Sequence, residues 1–244
     1  MRLLTTFLLA FVSASVGAQI RNYTMDTIPI ESKILNKNRS IVIYKPINYT
    51  KDEPVKMIYL IDGEFSKYRF QSLQENKPTT NLVGVGIINT DRRRDLLYTK
   101  EANKFLDFIA SEVIPVVEKG YHVGTRILYG HSFGGGFTIY ALLNKPQLFD
   151  AYIASSPSPL MKLINITDYL RVDITLNKKT SLYLSYGSKD MGQVRKWIQN
   201  LNENLSGARF NYLDWKFTIF EGKKHNNSDI PALINGIAGI YGSD

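Results

Sequence analysis

Two nearly unbroken apolar runs, VKMIYLID from Val55 to Asp62 and NLVGVGII from Asn81 to Ile88, constrain this chain more than any other feature. A strand with one face in water alternates apolar and polar residues, because successive side chains point to opposite faces. Runs without that alternation describe strands buried on both faces, as in a parallel sheet covered by helices. The segments around them fit. Phe105, Phe108, Ile109, Val113, Val116 and Val117 follow helical spacing up to Gly120, which is placed to end a helix. TRILYG is the next strand and FTIYALLNK the next helix; FDAYIAS and TSLYLSYG are strands joined by an irregular or partly helical crossover. GQVRKWIQNLNENL is an amphipathic helix, DWKFTIF the last strand and DIPALINGIAGIYG the last helix. IPIESKIL and RSIVIYKP, before all of these, form a hairpin that supplies an antiparallel edge. This alternation predicts an α/β fold with a mostly parallel sheet and helices on both faces.

Residues 1–18 stand apart. Arg2, the apolar run Leu3 to Val12 and the small residues ending Val16-Gly17-Ala18 have the order of a secretory signal cleaved after Ala18. The run is too short to span a bilayer. Residues 19–244 are then expected to form one domain, periplasmic or secreted and of bacterial type, with no integral membrane segment once the leader is gone. The chain has no cysteine, which excludes disulfides, a thiolate nucleophile and zinc–thiolate sites. The formal net charge is +8. Its basic residues are scattered without interleaved aromatics, so nucleic acid is not expected as a partner; an anionic small molecule or glycan is.

Gly130-His131-Ser132-Phe133-Gly134 fits G-x-S-x-G. The motif alone is common by chance; its setting gives it meaning. Ser132 comes directly after a strand and directly before a helix, as a nucleophile elbow requires. Such a turn strains the serine backbone, and its neighbours must lack a Cβ to avoid clashes. The Phe133 amide, at the positive end of the helix dipole, is placed to donate to an oxyanion.

A serine nucleophile needs a base, and the chain has three histidines. On the strand, His131 should turn its side chain away from the neighbouring Ser132, and His122 lies at the far end of that strand. His225, after the last strand, remains. Serine, acid, histidine is the chain order of the α/β-hydrolases. Asp190 follows a strand in YGSKD, at the edge where sites on open sheets form, and is the first choice for the acid. Glu221 is the alternative. The second oxyanion donor should come from Asp62-Gly63-Glu64, after the third strand, through the Glu64 amide or else that of Gly63.

The chain resembles the putative-esterase family of α/β-hydrolases, which includes enterochelin and salmochelin esterases, esterase D-type enzymes and mycolyltransferases. The resemblance runs from about Arg39 to Gly242 and is densest from Phe105 to Ser158. YLIDGE, YGSKD and EGKKH correspond to the family's oxyanion, acid and histidine loops. It implies an α/β-hydrolase fold and a serine esterase working through an acyl-enzyme on a small-molecule or glycan ester, with no cofactor or metal. An acyltransferase using the same three residues and a binding protein without chemistry are the other readings. NTDRRRDLLYT resembles an R-x-x-D segment of the siderophore-esterase relatives, which draws in Arg92 and Asp95 and implies that Arg92 binds an acidic group of the substrate. The chain departs from the family at Leu97-Tyr98 and at Pro159-Leu160. The crossover after Ser156 is too short for a lid, so an open cleft is expected.

Overall fold

The computed structural model describes residues 22–76, 81–89, 91–97, 99–158 and 175–241. The leader, Tyr98 and Pro159-Leu160 lie outside these. Eight strands form one sheet in the order β1-β2-β4-β3-β5-β6-β7-β8. β1 (Tyr23–Ser32) and β2 (Lys37–Pro46) are the expected hairpin. β2 runs antiparallel to both β1 and β4. β3 (Val55–Ile61), β4 (Leu82–Ile87), β5 (Val123–His131), β6 (Ala151–Ser155), β7 (Thr180–Gly187) and β8 (Leu213–Phe220) are parallel.

The unbroken apolar runs are explained by two cores. From β3, Met57, Tyr59 and Ile61 face one of them, while Ile58 and Leu60 face the other. The first core holds Phe105 and Phe108 of α3 (Thr99–Phe108) and Phe137 of α5 (Phe133–Asn144). It also takes Leu201 and Leu205 of α6 (Gly192–Ser206). The second holds Phe70 and Leu73 of α1 (Ser66–Asn76) with Leu233 and Ile237 of α7 (Asp229–Tyr241). The expected single helix after residue 99 is three segments: α3, a π turn at Ile109–Val113, and α4 (Ile114–Glu118). Pro115 has no N–H to offer a carbonyl four residues back, which accounts for the break.

Two helices escape the sequence pattern. The buried residues of α1 include Ser66, Arg69, Ser72 and Gln74, so the apolar period that reveals a helix is absent. Arg92 to Leu97, given no element by the sequence pattern, is α2, with Asp95 and Leu96 buried. Asp95 is held there by Arg39 Nη2 at 2.9 Å, on a buried side chain of β2.

The strand order places the site. From β3 the chain moves outward to β4, returns to β5 on the other side, and then proceeds to β6. β3 and β5 are therefore neighbours whose connections leave in opposite directions, which opens a crevice at their C-terminal ends.

Candidate active site

Ser132 occupies the turn between β5 and α5 with φ 58° and ψ −118°. That conformation is unfavourable for a residue with a side chain, and the surroundings hold it. The Ser132 amide donates to the Ser155 carbonyl at 3.0 Å, and its own carbonyl accepts from Gly136 at 3.0 Å and Ser158 at 2.8 Å. A Cβ at Gly130 would stand 2.1 Å from the Gly134 carbonyl oxygen. The glycines ahead of and behind the serine are thus a packing requirement.

His225 begins a 3-10 turn, His225–Asn227, just beyond β8. Its Nε2 lies 2.9 Å from Ser132 Oγ and its Nδ1 lies 2.8 Å from Asp190 Oδ1. The Asp190 side chain is fully buried, and that of His225 is 18% exposed. Burial pushes the Asp190 pKa up, but it is outweighed by the hydrogen bond from His225, by the nearby Ser156 hydroxyl, by the charge on the imidazole and by the Met191 amide. The net direction is downward. That amide donates to Oδ1 at 2.6 Å. An ionised Asp190 only accepts, so Nδ1 carries the imidazole proton and Nε2 is left to accept from Ser132. The three residues form a directed chain of two hydrogen bonds.

The acid and histidine loops are tied together. Lys189 N donates to the Lys223 carbonyl at 2.9 Å and Gly222 N to Ser188 Oγ at 2.8 Å. Glu221, the alternative acid, accepts from Ser188 Oγ at 3.0 Å and is exposed. His122 lies exposed at the start of β5.

His131 does more than turn away. Its Nδ1 is 3.1 Å from Ser155 Oγ, and its ring tilts against that of His225 with centroids 4.8 Å apart. Beyond it, Asp229 Oδ1 lies 3.9 Å from Nδ1. Burial lowers the His131 pKa to about 4, against the raising effect of Asp229 and with a further lowering by His225. A second, neutral imidazole therefore walls the first. Nothing in the G-x-S-x-G pattern signals this.

Asp62 follows β3 in a left-handed conformation, φ 60° and ψ 61°, and leads into a 3-10 turn at Gly63–Phe65. The first N–H groups of a helix have no partner within it. By that rule the Gly63 and Glu64 amides at the head of this turn, and the Phe133 amide at the head of α5, have no partner within their own helices. Asn89 N donates to Glu64 Oε1 at 3.0 Å, and Asn89 Nδ2 to Asp62 Oδ1 at 2.7 Å. Arg92, expected to bind an acidic group of the substrate, pairs with Asp62: Nε to Oδ1 at 2.6 Å and Nη2 to Oδ2 at 2.8 Å. Its side chain is 37% exposed and that of Asp62 only 2%. Asp62 and Asn89 went unremarked in the sequence as side chains; a polar residue ending an apolar strand was the only signal. Among the described residues, no group of three or more His, Asp or Glu is placed to hold a metal ion, and no helix is long and apolar enough to cross a membrane.

A family model described as "Putative esterase" matches residues 32–206. The siderophore triacetylfusarinine C esterase of Aspergillus fumigatus is 32% identical over 149 residues, 57% of this chain and 48% of that protein. The chain spans about half or less of the length of the curated siderophore esterases it matches. Among solved structures, an IroE-like serine hydrolase from Shewanella oneidensis superposes with a TM-score of 0.77 at 25% identity, covering 88% of this chain and 79% of that one. The BES protein from Bacillus cereus does so with a TM-score of 0.79 at 22% identity, covering 91% and 97%.

Proposed function

The chain belongs to the putative-esterase family, and from that premise we propose that it is an exported serine esterase that hydrolyses carboxylic esters through an acyl-enzyme. The observation that carries this reading is the directed chain Ser132–His225–Asp190, with links of 2.9 and 2.8 Å. In the first step Ser132 Oγ attacks the ester carbonyl carbon as His225 Nε2 takes its proton. Asp190 holds the imidazole in the tautomer that can accept and stabilises the imidazolium formed. The amides of Phe133 and of Glu64 or Gly63 donate to the oxygen that becomes negative. His225 then returns the proton to the departing alcohol. Water, activated by the same nitrogen, releases the acid and restores Ser132.

Siderophore and carbohydrate esters are the substrate classes proposed. The relatives described as siderophore esterases support the first. Export rests on the order of residues in the leader, with the mature chain taken as 19–244, one domain.

A fluorophosphonate probe tests the chemistry. Labelling of the wild-type protein that vanishes in Ser132→Ala is expected, together with hydrolysis of a panel of p-nitrophenyl, feruloyl, acetyl-sugar and trilactone esters. Folded protein that takes no label would make the chain a binding protein. Ester products that appear only when a sugar acceptor is present would make it an acyltransferase.

A further inference from the structure

The guanidinium of Arg92 contacts both segments that carry the proposed oxyanion donors. On one side is its two-pronged grip on Asp62, the residue immediately before Gly63 and Glu64. On the other, Nη2 is 3.4 Å from the His131 carbonyl and Cζ is 4.9 Å from the centroid of the Phe133 ring. His131 and Phe133 bracket Ser132. The two donor amides therefore belong to separate segments, the turn after β3 and the elbow after β5, and Arg92 reaches both. Asp62 has reason to keep it: a buried carboxylate in a left-handed backbone needs a counter-charge. The same pairing takes up Nε and Nη2, one two-pronged edge of the guanidinium.

We propose that Arg92 is a positioning residue that staples the two halves of the oxyanion hole, rather than an anchor for substrate anions. The proposal rests on the serine-esterase reading. A planar cation that makes a bidentate carboxylate contact while lying against a ring cannot be replaced by an ammonium, so lysine should not rescue it. An oxyanion donor is useful only in the transition state, and losing one costs about 100- to 1,000-fold in kcat. Displacing a donor should cost part of that.

The test compares a neutral ester, p-nitrophenyl acetate, with an anionic one, the p-nitrophenyl monoester of succinic acid. In Arg92→Lys and Asp62→Asn, kcat should fall about 10-fold or more on both esters, with KM within about threefold and the acid limb of the pH–rate profile unmoved. Phe133→Leu, which keeps the amide and removes the ring, should lose a smaller factor in kcat on both and guards against the first two variants failing to fold. A rise in KM confined to the anionic ester, with kcat retained, would make Arg92 a substrate anchor and overturn the staple. Unchanged kcat in Arg92→Lys would overturn it too. Wild-type protein that hydrolyses neither ester and takes no fluorophosphonate label would remove the esterase reading and the staple together.

Discussion

At the scale of single residues, the least expected element is the buried imidazole of His131. Its pKa is lowered to about 4 from an ordinary 6.5, so the folded protein favours its neutral form. A group depressed in this way contributes stability that is fully present above pH 6.5, the unfolded value, and is lost as pH falls through the folded value. With a difference of some 2.5 units, the contribution is on the order of 3 kcal/mol. We expect urea midpoints to drop between pH 6.5 and pH 4, and His131→Gln to flatten that acid limb. An acid limb as steep in the variant as in the wild type would show that other groups carry the loss. The position bears on the proposed chemistry as well, because a proton on His131 would place a positive charge against the His225 ring, which in that mechanism takes a proton from Ser132.

At the scale of elements, the loops after β7 and β8 act as one unit. Gly187 ends β7, and a Cβ there would stand 2.2 Å from the Lys223 carbonyl oxygen. Gly187→Ala should force the two loops apart, costing about 1–3 kcal/mol and lengthening the Asp190–His225 link. Thermal melts with kcat measured on the same samples check both effects, and a variant with wild-type kcat would show that the loops can part without harm. Much of this layer is legible in the sequence, for definite reasons. β3 and β4 announce themselves through unbroken apolar runs, and the elbow through its glycines; His225 emerges because only three histidines exist. The hidden parts are those that bury polar groups. α1 packs Arg69 and Gln74 inward, and α2 buries Asp95 against Arg39, so neither shows the period that betrays a helix. Arg92 was visible as a charge near the site, but its partner was not, since an ion pair spanning thirty residues leaves no local pattern.

For the molecule as a whole, the sheet divides the labour unevenly. The proposed oxyanion turn and nucleophile hang from β3 and β5, which lie mid-sheet with bonded strands on both sides. His225, the proposed base, follows β8, which is outermost and pairs only with β7. Opening of local structure begins where cross-strand bonds are fewest, so on warming this margin should fray while the centre stays closed. Ester turnover is then expected to fade several degrees below the cooperative melt seen by far-ultraviolet dichroism; coincident curves would mean that the border melts only with the rest. Trp215 lies in β8, and Trp197 of α6 packs, as Phe217 of β8 does, against the cluster of Tyr186, Val194 and Ile198. The chain has no other tryptophan, so its intrinsic fluorescence is a thermometer for the rim that carries the imidazole.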